Sequence, residues 1–305
     1  MIKSFTVTNY VGDSIVLELG KPEKSGFLIE SVSGLGPVKA DINVTDYSSS
    51  DGGFYTSARA EKRNIVFELI FVDSEKGESI EDLRQKTYKY FPLKRKVSIV
   101  VETDNRKLET VGYVESNEPE IFSSEEGCQI SVICPDSYWY STDGLNRTVF
   151  SGIEAEFEFP FSNESLTNKV IEFGSIEVKT ENTVYYTGDA EVGIIINIHA
   201  IGSASNITVY NSGTRERIKI DSSKIESITG SGIVAGDDII ITTSKGEKSA
   251  VLVRDGKTTN ILNCIDKASS WLSLSKGDNL FAFGAETGAV NLQFNIEYKI
   301  AYEGV

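Results

Sequence analysis

From residue 96 onward the sequence alternates apolar and polar residues with a period of two, in segment after segment. That period buries one face of a β-strand and leaves the other in water. KVSIVVETD (96–104), QISVIC (129–134), EAEFEFPF (154–161) and IIINIHAIG (194–202) all carry it, and so do KSAVLVRDG (248–256) and AVNLQFNIEYKIAYEG (289–304). Turn strings such as NSG, SKG and RDG separate the runs at intervals of roughly 8–12 residues, the spacing of a sandwich or barrel. A mainly β protein is expected, with a carboxy-terminal half that is nearly pure strand.

One segment has the helical period instead. In ESIEDLRQKTYKYFPLK (78–94), Ile80, Leu83, Thr87 and Tyr90 or Phe91 share a face, Ser79 stands three residues before Asp82 as a cap, and Pro92 closes the run. A single helix over 80–91 is predicted for the first part of the chain. Before it, DINVTDYSSSDGGFYTSARAEKRNIVFELIF (41–71) places Asp51, Gly52 and Gly53 between a serine run and the strand 64–71. Such a tip suits a tight reversal. The pair of strands it joins is either an ordinary surface loop or an arm able to reach a neighbouring subunit.

A chain of 305 residues accommodates two domains of about 150 residues each. The alternation stops after Cys134 and resumes at Phe150, across the polar stretch STDGLNRT (141–148), so domains 1–145 and 146–305 are expected. Tyr138 and Trp139 are expected to pack structurally near that exit, because aromatics bury large areas while keeping a polar handle.

The amino-terminal residues MIKSFTVTNYVGDSIVLELG alternate, and no stretch approaches the ~18 apolar residues of a membrane span. A soluble chain folded in a cytoplasm, without signal peptide or membrane segment, is the expectation. Cys128, Cys134 and Cys264 are odd in number and set in apolar alternation, which reads as reduced, buried thiols. With 45 acidic against 30 basic side chains the formal charge is −15, and the densest basic run, PLKRKVSIV (92–100), holds three cations. Specific nucleic-acid binding needs a more concentrated basic surface.

Signals for catalysis or cofactors are weak throughout. His199, the one histidine, lies in apolar INIHAIG and reads as a strand residue; no CxxC knuckle accompanies it. Glu154, Glu156 and Glu158, and Asp237 with Asp238, read as solvated strand faces rather than a glycosidase pair. SGLGPV (33–38) is no dinucleotide fingerprint, no phosphate loop is present, and VTDYSSSDGG falls short of a calcium loop. No enzyme, cofactor or metal is expected. The physical rival is a carbohydrate-binding module stacking sugars on Tyr185, Tyr186, Tyr210 or Trp271, although Trp271 sits among Leu272 and Leu274 as a core or rim residue would.

Taken in order, these pieces resemble the distal tail proteins of long non-contractile-tailed phages and prophages. DGG at 51–53, the strand 64–71, the helix 80–91 and CPDSYWY (134–140) follow the family's first-domain order, with Asp136, Tyr138 and Trp139 in place and Ser137 where proline is usual. NITVYNSG (206–213), AGDDIIITTSKG (235–246) and SSWLSLSKGDNLFAFG (269–284) follow the second, with Trp271, Leu274, Gly277 and Asn279 at the family's spacing. The segments 122–128 and 160–193 match no family element.

The resemblance implies a β-sandwich or barrel-like belt domain with one helix, followed by a galectin-like jelly-roll β-sandwich. It implies a non-catalytic hub at the virion tail tip, made in the bacterial host cytoplasm. In such a hub a homo-hexameric ring, single or stacked in two, joins the tail tube protein to the tail tip protein and to baseplate or receptor-binding proteins. The alternative is a carbohydrate-binding module that itself adheres to the host surface. Galectins hold galactosides with a cluster that includes a histidine, and the sequence alone does not place His199 in one.

Overall fold

The computed structural model describes residues 1–123, 125–154, 175–178 and 180–305. The chain forms two compact units, Met1–Gly144 with Ala301–Val305, and Leu145–Ile300. The fold is mainly β and multi-sheeted, with few helices among the described residues.

The first unit runs β1 (Ile2–Thr8), β2 (Ser14–Glu18), α1 (Pro22–Ser25), β3 (Phe27–Ser33), β4 (Ala40–Asp46), β5 (Gly53–Ala60) and β6 (Arg63–Phe71). It continues with α2 (Ile80–Tyr90), β7 (Lys96–Thr103), β8 (Lys107–Glu120), β9 (Gly127–Cys134) and β10 (Trp139–Ser141). Its main sheet has the order β2-β1-β7-β8-β9-β6-β3, antiparallel throughout. The inward residues of the alternation, among them Phe5, Val7, Phe67, Ile99 and Val132, are buried. Phe67 meets Phe5 edge-on at 5.5 Å and Phe91 at 5.8 Å, so the end of the helix is packed into the sheet's core.

The helix α2 forms where its pattern predicts. Ser79 and Asp82 make a reciprocal capping box, with Asp82 N–H donating to Ser79 Oγ at 3.2 Å and Ser79 N–H donating to Asp82 Oδ2 at 3.0 Å. Leu83 and Thr87 are buried, and a side chain on Gly26 would stand 2.4 Å from Leu83 Cδ2, so glycine is what lets the helix seat.

The second unit runs β11 (Asn146–Val149), β12 (Ser151–Glu154), β13 (Ser175–Val178), β14 (Glu181–Tyr186), β15 (Val192–Gly193), β16 (Ile195–Ala200), β17 (Thr208–Asn211) and β18 (Arg217–Lys219). After α3 (Ser222–Thr229) come β19 (Asp238–Thr242), β20 (Ser249–Arg254), β21 (Lys257–Asn260), β22 (Ser273–Leu274), β23 (Gly277–Gly284) and β24 (Leu292–Tyr298). A six-stranded sheet, β11-β24-β16-β19-β20-β21, faces a four-stranded one, β14-β23-β17-β18. Phe294 of the first stacks on Phe283 of the second at 4.7 Å, and Tyr298 meets Tyr186 edge-on at 5.8 Å. These rings form the core between the layers. The expected strand 154–161 lies, from residue 155, outside the described residues, as do Glu156 and Glu158.

Three differences from the sequence reading have physical causes. The first unit holds a second helix beside α2, the one-turn α1, which Pro22 opens and Gly26 at φ +82° closes, where a single helix is expected. α3 interrupts a half expected to be nearly pure strand: Asp221 caps it by accepting from Ser223 N–H at 3.0 Å, and Gly230, at φ +80°, ends it. Its serine, threonine and isoleucine content hid it, since these residues favour strands and turns. And β25 (Ala301–Tyr302) lies with the first unit rather than the second, pairing with β10 through Trp139–Tyr302 and Tyr140–Ala301.

The three cysteines are unpaired and buried. Burial pushes the thiol of Cys128 up to about 12 and that of Cys134 up to about 11, and raises that of Cys264. Because the thiolate is the reactive form, none of the three is expected to react with an aromatic disulfide reagent at neutral pH until denaturant is added. Rapid release of one equivalent from the native protein would contradict this.

Candidate functional site

The most solvent-exposed element of the first unit is the β4–β5 hairpin. Its register pairs Ala40 with Ala60, Ile42 with Ala58 and, past a bulge, Val44 with Tyr55, which places six apolar side chains on one face. The other face carries Asp41–Arg59 (3.0 Å), Asn43–Ser57 (3.1 Å) and Thr45–Thr56 (3.4 Å). The apolar ladder is open to solvent, with Ile42, Val44 and Tyr55 each more than half exposed. An isolated two-stranded hairpin is marginal in water and gains nothing from an uncovered apolar face.

Asp51, Gly52 and Gly53 form the tip. Gly52 adopts φ +95° and its carbonyl accepts from Tyr47 N–H at 3.2 Å, while a side chain on Gly53 would stand 2.5 Å from Val44 Cγ1. The tip therefore requires glycine at 52 for its backbone and at 53 for space.

Elsewhere in the first unit Asp136 folds the aromatic stretch, accepting from Tyr138 N–H at 3.1 Å and from Tyr140 Oη at 2.7 Å. Tyr138 is half-buried, its carbonyl accepting from Thr110 Oγ1 at 3.5 Å. Trp139 is wholly buried, with the guanidinium of Arg63 5.2 Å from its ring centre. Arg63, itself fully buried, donates to the carbonyls of Gly34, Gly36 (2.7 Å), Ser137 (2.7 Å) and Glu303 (2.7 Å). No sequence signal marks it, because in AEKRNIVF it reads as one more cation before a strand.

In the second unit, Leu274 is buried and paired with Val192, and Trp271 is half-buried against Lys248, whose Nζ is 5.2 Å from the ring. Gly277, at φ +97°, opens β23. Asn279 is nearly buried and closes the preceding turn, donating to Ser275 O (2.7 Å) and Gly277 O (3.0 Å) and accepting from Ser275 N–H (3.0 Å). Gly277 and Asn279 thus share the turn that opens β23, while Leu274 lies in β22 and Trp271 against Lys248, and Asp51–Gly53 and Asp136–Trp139 lie in the first unit's hairpin tip and aromatic turn.

Asp237 corrects the reading of 237–238 as a solvated pair. It is fully buried, and both its oxygens accept from Arg254, Oδ1 from Nε at 2.7 Å and Oδ2 from Nη2 at 2.6 Å. Only Asp238 faces outward. The tyrosines proposed for sugar stacking also divide: Tyr186 is buried and donates to Ala190 O at 2.9 Å, while Tyr185 and Tyr210 are exposed on the four-stranded sheet. Among the described residues, no group of three or more His, Cys, Asp or Glu is placed to hold a metal ion and no helix is long and apolar enough to cross a membrane.

Residues 187–302 match the family model described as the siphovirus-type tail component, C-terminal domain. The chain matches the SPP1-type distal tail protein family there. Trp271, Leu274, Gly277 and Asn279 all lie within the matched segment. Among solved structures, the chain is similar to the Dit protein of phage SPP1, described as a paradigm of hub adsorption apparatus in phages infecting Gram-positive hosts. The TM-score is 0.64 at 14% identity, covering 98% of this chain and 100% of that one. A chain of the phage P2 baseplate in its activated, calcium-bound conformation follows, with a TM-score of 0.51 at 14% identity and full coverage of both chains. No curated protein sequence matches. At such identity the likeness is one of fold, and it extends over both units.

Proposed function

We propose that this chain is a non-catalytic structural hub of a phage or prophage tail tip or baseplate, built as a ring of six copies. Residues 1–145 with the returning 301–305 act as the ring-forming, tail-tube-like belt domain, and the remaining residues, 146–300, as an outward galectin-like jelly roll. The ring, single or stacked in two, joins the tail tube protein to the tail tip protein and carries the baseplate or receptor-binding proteins. The tail-component family match and the fold shared with the SPP1 hub protein support the place in the particle.

The observation that carries the assembly is the uncovered ladder of the β4–β5 hairpin. Burying a valine or isoleucine side chain contributes about 1.5–3 kcal/mol, so covering Ile42 and Val44 against the next copy turns an unstable arm into a contact repeated around a closed ring. Six copies at −15 each repel one another, and exposed ion pairs contribute only about 0–1 kcal/mol. Apolar burial is the term left to hold the ring.

Light scattering across a concentration series tests this. The expected mass is about six or twelve times 33.4 kDa, and Ile42→Asp with Val44→Asp is expected to give a monomer that still unfolds cooperatively, at a midpoint lowered by the loss of assembly. A double variant that assembles like wild type would overturn the hairpin's role, and a wild-type monomer at every concentration would restrict the ring to assembly on a template and favour a free-standing binding module.

A further inference from the structure

The densest basic run of the chain, Lys94, Arg95 and Lys96, plays no part in the hairpin contact. All three cations are exposed, and among the described residues none of them has a carboxylate within ion-pair distance. Asp13, the acid of the β1–β2 turn, is already paired with Lys89 at 3.0 Å. The fold lays the run along β8: Leu93 bridges Val114, Lys94 N–H donates to Val114 O at 2.9 Å, and Lys96 stands opposite Tyr113. Leu93, Tyr113 and Tyr10, whose ring lies 5.2 Å from the Arg95 guanidinium, are each about half exposed. The result is a cationic surface with apolar side chains set into it.

The same strand carries the opposite surface farther along. Past a bulge between Val114 and Ser116, β8 stays paired with β9 as far as Glu120. Glu118 and Glu120 are exposed there and, among the described residues, have no ion-pair partner either. Just beyond them Ile121 is half exposed and Phe122 fully so. A strand rises about 3.4 Å per residue, which puts Glu120 about 20 Å from Tyr113. A paired strand cannot fold back on itself, so the two surfaces do not meet within one copy.

Their chemistries are complementary. A phosphate backbone would satisfy the cations but would leave Leu93 and Tyr10 against charge, and three cations are few for it. Two carboxylates beside a bare phenyl ring satisfy both parts. Copies that each carry −15 also repel least where the basic run of one is turned toward acids of another. We infer that the outer end of β8 in one copy, with Glu118, Glu120 and Phe122, docks on Leu93–Lys96 of the next copy. The inference rests on the ring reading and gives the ring a direction, since two different surfaces make a head-to-tail contact that closes when the rotation per copy fits. Exposed ion pairs add little affinity, so Phe122 on Leu93 supplies the apolar seat while the charges select the partner surface and its register.

Zero-length carbodiimide cross-linking of the full chain, mixed from unlabelled and ¹⁵N-labelled protein, tests the contact. An amide joining Lys94 or Lys96 to Glu118 or Glu120, with both isotopes in one linked peptide pair, is expected. Lys94→Glu with Lys96→Glu, and separately Glu118→Lys with Glu120→Lys, are each expected to raise the concentration needed for assembly about tenfold or more, because like charges then meet. An equimolar mixture of the two double variants is expected to assemble as the parent does, which also shows that both are folded. Absence of the mixed-isotope link, a mixture no better than its components, or a mixture that yields only pairs of copies would each overturn the docking. The ring reading is judged separately by mass. A ring without this link sinks the docking alone, whereas a monomer that still gives the mixed link keeps the contact and confines the ring to a template.

Discussion

Arg63→Met is expected to lower the stability of the first unit by about 3–5 kcal/mol, the range for removing one member of a buried charged network. The guanidinium is the common donor to carbonyls from three separate segments, the 34–36 loop, the aromatic turn at Ser137 and the returning strand at Glu303. Methionine fills much of the volume but leaves those carbonyls without a donor, and each buried unsatisfied group costs about 1–3 kcal/mol. Burial lowers the guanidinium's pKa, but a fork with five donors keeps its charge at any ordinary pH. In a Trp271→Phe background Trp139 is the sole tryptophan, so urea unfolding followed by its fluorescence reads the first unit alone. A midpoint within experimental error of the parent would show that water replaces the arginine at little cost.

Asp237→Ala carries the second large effect. The carboxylate holds Arg254 with two hydrogen bonds and also accepts from Val234 N–H at 2.9 Å, while Arg254 reaches Gly232 O and Ser231 Oγ at 2.7 and 2.6 Å. The pair therefore pins the segment after α3 against β20. Losing the acid leaves a half-buried guanidinium without its counter-charge, and a drop of about 3 kcal/mol, the lower end for a broken buried pair, is expected. Asp237→Asn, which keeps an acceptor for Val234, is expected to lose about half as much. Amide hydrogen exchange of β19 and β20 measures both. Equal protection in the alanine variant and the parent would mean that the pair contributes nothing to the second unit's stability.

These two residues also mark where the sequence stops being readable. The strands of both units follow from alternation, because a strand's period fixes which side chains face the core, and α2 follows from its cap and its apolar stripe. Arg63 and Asp237 are charged residues next to strands, and a charge there is ordinarily solvated. Only the fold reveals that Arg63 sits beneath four carbonyls, one of them 240 positions along the chain. The outward face of the second unit's six-stranded sheet is partly legible: Asn197, His199 and Asp238 are outward positions of alternating strands, but the register that sets β24 beside β16 and β16 beside β19 depends on pairings far apart in sequence. The hairpin tip is legible because Asp-Gly-Gly allows the positive φ that its reversal needs; its exposure depends on the surrounding fold.

The return of Ala301–Val305 to the first unit makes the second unit an insertion. It is held by two covalent crossings, one at Gly144–Leu145 and one at Ile300–Ala301. A protease that cuts one crossing does not release it, and a force applied to it is shared between two backbone strands. Synthesis imposes an order as well: residues 145–300 leave the ribosome before the strand that completes the first unit's sheet and before the carbonyl of Glu303 reaches Arg63. The first unit is thus finished only after the second, so its sheet closes when residues 145–300 have already been made.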